Sequence, residues 1–169
     1  IIGTTGFAGL AEKAVYSENQ LMPLPESMDF QTGAIFPLNY GTTYHALKQR
    51  ANIQSGESLL VLGAGGGIGM TAIHLGKALG ARVIAAASSQ EKLDLCKREG
   101  ADEVLLYPSH DMSREEQKSF SEEIKNISGG GVDVVYDVVG GDYAEPSLRA
   151  INWKGRYLVI GFTSNIPKI

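Results

Sequence analysis

The sequence predicts an α/β fold built on a doubly wound parallel sheet, and three observations predict it. Short, nearly continuous apolar runs recur from residue 58 onward, as expected of strands buried on both faces. The segments between these runs carry helical periodicity and are long enough for crossover helices. The first run ends in the turn Gly63-Ala64-Gly65-Gly66-Gly67-Ile68-Gly69, which opens directly into a helical pattern.

Taken in order, the elements begin with a stretch that does not fit this alternation. Residues 1–40 offer a candidate strand at Ala11–Ser17, a proline-spaced segment at Leu21–Pro25 and a short helical pattern at Asp29–Phe36. They read as the tail of another domain, with a boundary near Tyr40 that leaves residues 41–169 as the α/β domain. The strands are expected at Ser58–Ala64, Arg82–Ser88, Glu103–Tyr107, Val132–Val139 and Gly155–Phe162. After the first of them, Ile68, Ala72, Leu75 and Leu79 form one apolar stripe at helical spacing, and Gly80 stops the helix. Gly69, Ala72 and Gly76 form a neighbouring face of small residues on which a strand can approach closely. Gln90–Glu99 and Glu115–Ile127 are amphipathic helices with charged outer faces. A last helix, Tyr143–Ile151, follows Gly140-Gly141 and carries Pro146 near its start.

Composition sets the outer bounds. A chain of 169 residues, 43% hydrophobic and 20% charged, can bury one sizeable core. The net charge of -4 and the lack of a basic cluster leave no footprint for nucleic acid or an anionic membrane surface. No apolar run approaches the roughly 20 residues of a spanning helix. The lone Cys96 excludes a disulfide framework and a thiolate zinc site, so a reducing, cytoplasmic setting is expected. The start, Ile1-Ile2-Gly3-Thr4, is neither a signal peptide nor an initiating Met and leads us to expect a fragment.

The glycine turn carries the chemistry. A pyrophosphate needs unobstructed backbone N–H groups at a helix N-terminus, where the macrodipole favours negative charge, and glycine removes the side chains that would hold it away. Strict G-x-G-x-x-G fails, but Gly63, Gly66 and Gly69 satisfy G-x-x-G-x-x-G. At the end of the second strand, an acid would bind the adenosine ribose and repel a 2′-phosphate. The sequence there is Ala85-Ala86-Ala87-Ser88-Ser89-Gln90-Glu91-Lys92, which ends the strand without an acid and offers the Ser88 hydroxyl and the Lys92 cation. NADPH is therefore the expected ligand. A short-chain dehydrogenase is a rival reading, on the glycine turn and Tyr44-x-x-x-Lys48, although that pair precedes the turn instead of following it. His45, His74 and His110 are scattered without ligand spacing, and no metal site is expected.

Several stretches together resemble quinone oxidoreductases of the medium-chain dehydrogenase/reductase superfamily. They are Gly63 to Gly69, Lys77 to Ile84, Gly100-Ala101-Asp102, Val132 to Gly141, and Gly155-Arg156 to Gly161-Phe162. The resemblance implies a Rossmann fold preceded by a short remnant of a GroES-like catalytic domain. It also implies that Thr42 lies toward the nicotinamide, that Gly66, Gly67 and Ile68 meet the pyrophosphate, and that Lys92 and Tyr107 clamp the 2′-phosphate. Val138 and Phe162 would line the cofactor cleft. Leu38 stands where zinc-dependent relatives carry a Cys, which implies a zinc-independent enzyme. The implied reaction is hydride transfer from NADPH to a quinone or conjugated enone, in a full-length protein that forms a homodimer. No catalytic residue can be named from this chain. A nucleotide-binding module used for sensing or assembly, without turnover, is the alternative from another functional class.

Overall fold

The computed structural model describes residues 1–3, 9 and 11–166. It divides into two compact units, Ile1–Thr42 and Thr43–Ile169.

In the first unit, β1 (Ile2–Gly3) pairs antiparallel with β2 (Leu21–Met22). The strand expected at Ala11–Ser17 does not form. Nearly all of its side chains are exposed, Val15 fully so, which leaves no buried alternate face to hold an extended segment. Helix α1 (Phe30–Tyr44) starts where expected but runs beyond Phe36 and through Pro37. Asp29 anchors its start, accepting from Thr32 N at 2.8 Å and from Thr32 Oγ1 at 2.9 Å. The last two residues of α1, Thr43 and Tyr44, belong to the second unit.

The second unit continues as a π-helical turn, His45–Arg50, closed by Ala51 N donating to Ala46 O at 2.8 Å. That turn buries Ala46 and Leu47 in the core. Five parallel strands follow among the described residues: β3 (Ser58–Leu62), β4 (Arg82–Ala87), β5 (Glu103–Leu106), β6 (Val132–Asp137) and β7 (Ile151–Val159). They lie in the order β5-β4-β3-β6-β7. Among the described residues, four α-helices accompany them: α2 (Gly67–Ala78), α3 (Gln90–Arg98), α4 (Arg114–Ser128) and α5 (Ala144–Arg149). The expected doubly wound sheet is borne out. Leu59, Val61, Val83, Ala85, Val134 and Tyr136 pack with Ala72, Ile73 and Cys96 of α2 and α3 on one face. Leu60, Leu62, Ile84, Ala86 and Val135 pack with Phe120 and Ile124 of α4 on the other. Each such buried Val, Leu, Ile or Phe side chain contributes about 1.5–3 kcal/mol to folding. Every residue of β3 is buried, and all but Ser58 are apolar, because both faces of the strand are covered.

Several boundaries differ from expectation, those of the last strand most. The last strand begins at Ile151 and not at Gly155, because Ile151 pairs with Val132 and so cannot end the preceding helix. That helix is correspondingly short: a 3-10 turn at Gly141–Tyr143 leads into α5, which ends at Arg149. Between Val132 and Val134 the β6–β7 register shifts, and the extra residues bulge outward with Lys154 at φ 63° and Trp153 fully out in solvent. Among the described residues, no helix is long and apolar enough to cross a membrane.

The sheet order fixes where a ligand can sit. From β3 the chain winds one way to β4 and β5, and then returns to β6 on the opposite side of β3. The connections leaving β3 and β6 therefore diverge and open a crevice at the strands' C-terminal ends.

Candidate functional site

The turn after β3 occupies that crevice. Gly63 leaves the strand at φ 74°, in the left-handed region that glycine enters without a Cβ penalty. Ala64 N donates to Ala86 O at 3.0 Å, and Gly66 N donates back to Gly63 O at 3.1 Å, so the turn is tied to β4 and to itself. Gly66 is the N-cap of α2, and no side chain caps the helix. The first amides of α2 therefore face outward at the positive end of a helix of 12 residues, ready for an anion. The three glycines of the frame do different things. A Cβ on Gly66 would meet only Gly63 O, at 3.6 Å, so this position is open. A Cβ on Gly69 would lie 2.3 Å from Gly63 O, so this position is where helix and turn touch.

A cleft of about 420 Å³ runs from this turn across the strand ends. Gly63 and Gly66 form its floor, Ser88 and Lys92 one wall, and Tyr107 and Ser109 the next. Val138, Val139 and Tyr143 line it beyond β6, and Thr163 and Ser164 close it from the loop after β7. No carboxylate lines it among the described residues. Lys92 lies in the first turn of α3, whose N-cap Ser89 accepts from Lys92 N at 3.4 Å. Its aliphatic stem runs over Gly65, where a Cβ would come within 2.8 Å of Lys92 Cβ. The glycine turn is thus the surface on which the lysine rests.

Tyr107 and Tyr143 are the two buried polar residues of the lining. The Tyr107 ring packs on Tyr143 at 4.7 Å between centroids and edge-on to Phe120 at 6.2 Å. Burial pushes its phenol up to about 12 and the nearby Tyr143 adds to the shift, while a hydrogen bond from the Gly63 backbone pulls the other way. The phenol is therefore neutral at physiological pH and keeps its proton. Tyr143 donates its hydroxyl to Pro108 O at 2.5 Å and so fastens the loop after β5.

Two adjacent residues at the end of β6 hold the crevice from behind. Asp137 is fully buried; its Oδ1 accepts from Val139 N at 2.8 Å and Gly140 N at 2.9 Å, and its Oδ2 from Tyr157 OH at 2.6 Å. Tyr136, on the opposite face, joins a buried line of hydroxyls with Thr43 (2.9 Å) and Thr71 (2.8 Å from Thr43), and Thr71 donates to Ile68 O at 2.8 Å. Since a carbonyl only accepts, the chain of donation runs from Tyr136 through Thr43 and Thr71 to the first turn of α2.

Of the residues expected at the site, Gly66, Ser88, Lys92, Tyr107 and Val138 line one cleft. Gly67 and Ile68 form the first turn of α2, with the Ile68 side chain packed on the core. Phe162 is exposed and lies against Gly140, while its neighbours Thr163 and Ser164 line the cleft. Thr42 is the last residue of the first unit, on α1. Sequence reasoning missed Ser109, Val139, Tyr143, Thr163 and Ser164. The only signal for them was their position, two to six residues past the ends of strands. Size does not select the site: a larger hollow of about 470 Å³ lies between α4 and α5, but charged side chains line it and its Arg149 is already paired with Glu145 at 2.5 Å.

A glycine turn at the switch point of a five-stranded parallel sheet defines a Rossmann-type domain. The zinc-binding dehydrogenase profile matches residues 67–168, and the chain belongs to that family. The expected resemblance to quinone oxidoreductases is borne out. A mouse quinone oxidoreductase-like protein 2 is 37% identical over 172 residues, covering 100% of this chain and 47% of the relative. A probable oxidoreductase from Mycobacterium abscessus superposes with a TM-score of 0.82 at 32% identity, over 94% of this chain and 47% of the other. A quinone oxidoreductase from Thermus thermophilus, solved alone and with NADPH, superposes with a TM-score of 0.78 at 33% identity, over 99% of this chain and 51% of the other. The chain thus spans about half the length of the relatives it matches. The family assignment displaces the short-chain reading of the glycine turn. Despite the family's name, no group of three or more His, Cys, Asp or Glu is placed to hold a metal among the described residues.

Proposed function

We propose that this chain is the NADPH-binding portion of a zinc-independent oxidoreductase that passes hydride to a quinone or a conjugated enone. In this reading, residues 1–40 are the tail of a GroES-like catalytic domain and residues 41–169 the cofactor domain, and the whole protein works in the cytoplasm as a homodimer. The observation that carries the reading is the lining of the cleft: a glycine turn at a helix N-terminus, a lysine and a serine at the end of β4, and no carboxylate among the described residues. The Thermus thermophilus relative solved with NADPH lends it support.

The residues fit the cofactor's groups one by one. Gly66, Gly67 and Ile68 would take the pyrophosphate on backbone amides, because nothing beyond Cα obstructs Gly66. Lys92, Ser88 and the neutral Tyr107 would take the 2′-phosphate, with one charge-assisted contact and two hydroxyl donors. Val138 and Phe162 are assigned to the flank of the cleft, and Thr42 to the nicotinamide side. The bound cofactor would supply the hydride, and the chain would supply orientation.

Nicotinamide fluorescence titration tests this directly. NADPH should bind more tightly than NADH, and Lys92→Ala should weaken NADPH about tenfold, the equivalent of about 1.4 kcal/mol, with little change for NADH. A preference for NADH in the unsubstituted protein would refute the phosphate assignment. Tight NADPH binding in a full-length protein that reduces no quinone or enone would favour a sensing or assembly module.

A further inference from the structure

Ser109 is a residue that the cleft leaves without an occupation. It sits two positions past Tyr107 on the loop after β5, and lines the same cleft as Ser88 and Lys92. It is exposed, and its hydroxyl has no partner among the described residues. Free serine hydroxyls on loops are common; this loop is unusual in how firmly it is fixed.

The fixing comes from one side chain. Tyr143 OH donates to Pro108 O at 2.5 Å and also approaches His110 O at 3.4 Å, so the carbonyls on both sides of Ser109 converge on a single phenol. The Tyr143 ring is itself held, at 4.7 Å from Tyr107 and 6.3 Å from Phe120. Upstream, Tyr107 N donates to Ala87 O at 3.1 Å and continues the strand pairing to the lip of the cleft. Downstream, Met112 N donates to Asp142 Oδ2 at 3.2 Å, which ties the loop to the same 3-10 turn that carries Tyr143. His110 is turned to Glu116, at 3.1 Å, and is not part of the cleft wall. Ser109 therefore presents an unused donor from a braced loop, and ordering it would demand little further conformational entropy on binding.

We propose that Ser109 is a further ligand of the adenosine 2′-phosphate, and that Tyr143 is the positioning residue that holds it there. This rests on the NADPH reading above. The phosphate would then be met from two strand ends, by Ser88 and Lys92 after β4 and by Tyr107 and Ser109 after β5. A dinucleotide lacking the phosphate would leave Ser109 facing water, so the residue acts on selectivity and not on dinucleotide binding as such.

The test compares four ligands by calorimetry: NADPH, NADH, 2′,5′-ADP and 5′-AMP. Ser109→Ala should weaken NADPH and 2′,5′-ADP about fivefold, the range of one ordinary hydrogen bond at a solvent-exposed site, and leave NADH and 5′-AMP unchanged. Ser109→Thr, which keeps the hydroxyl, should restore the selectivity. Tyr143→Phe keeps the ring packing and removes the latch, so it should lower the NADPH to NADH preference without an equal loss in both. Lys92→Ala measured alongside separates the two layers of the argument. If Lys92→Ala leaves the preference for NADPH intact, the cofactor reading fails. If Lys92→Ala abolishes that preference while Ser109→Ala leaves it untouched, or if Ser109→Ala weakens all four ligands alike, the assignment of Ser109 is overturned.

Discussion

Gly69→Ala isolates the contact on which the site's geometry depends. The added Cβ would lie 2.3 Å from Gly63 O, 2.7 Å from Ala64 Cα and 2.9 Å from Ala64 C. Against an ordinary contact of 3.4 Å or more, the first of these is short by roughly 1 Å. All three atoms are backbone, so no side-chain rotation relieves them. Gly63 is also held at φ 74° with its carbonyl engaged by Gly66 N, and cannot swing aside. The first turn of α2 must therefore move away from the strand end, and overpacking of this kind costs about 1–3 kcal/mol. The substitution gains up to about 1 kcal/mol in helix propensity, which offsets part of that. A net loss of about 1–2 kcal/mol is expected, read as a lower urea midpoint at an unchanged slope, together with weaker NADPH binding. Gly66→Ala is the control. Its Cβ meets only Gly63 O, at 3.6 Å, so stability should fall by no more than about 1 kcal/mol, from the poorer cap, while cofactor binding falls sharply. Equal stabilities for Gly69→Ala and the unsubstituted protein would refute the division of labour between the two glycines.

Two further perturbations address the back of the crevice and its wall. Asp137→Ala strips the acceptor from Val139 N, Gly140 N and Tyr157 OH at once; with about 1–3 kcal/mol for each buried group left unsatisfied, a loss of at least about 3 kcal/mol is expected in urea unfolding. Tyr107 predicts an alkaline limit: its folded pKa is raised to about 12, so the stability it contributes is fully present below the ordinary phenol value near 10 and is lost as pH rises toward 12. Tyr107→Phe should flatten that alkaline arm, measured as thermal midpoint against pH.

Much of the fold is legible in the sequence because its signals are local. The stripe Ile68, Ala72, Leu75, Leu79 needs only helical spacing, and the strand cores need only an unbroken apolar run. The strand ends are not legible in the same way. Ala64, Ser88, Tyr107 and Val138 continue the apolar or small character of their strands, yet each lies just past its strand's end, where the chain turns into a loop. The start of β7 was hidden for a related reason. Ile151 suits a helix end as well as a strand, and only its pairing with Val132 decides between them.

The candidate site divides along the same line. Gly66, Ser88 and Lys92 belong to a motif within one strand-turn-helix unit and its neighbour, so spacing alone points to them. Ser109, Thr163 and Ser164 carry no period, and they reach the cleft only because the sheet order sets the ends of β5 and β7 on either side of β3. Asp137 stands between these cases. An acid closing a buried apolar strand is visible in the sequence, but whether it serves a ligand or the fold depends on what it meets. Here both oxygens are already taken by Val139 N, Gly140 N and Tyr157 OH, so the acid is spent on holding the turn that carries Val138. The only carboxylate at the strand ends that border the glycine turn is thereby withdrawn from the cleft, among the described residues, and the electrostatics there are left to Lys92. A structural carboxylate and a phosphate-binding cleft are for this reason compatible within one crevice, and Asp137→Asn, which retains an acceptor oxygen, should alter stability more than it alters the preference for NADPH.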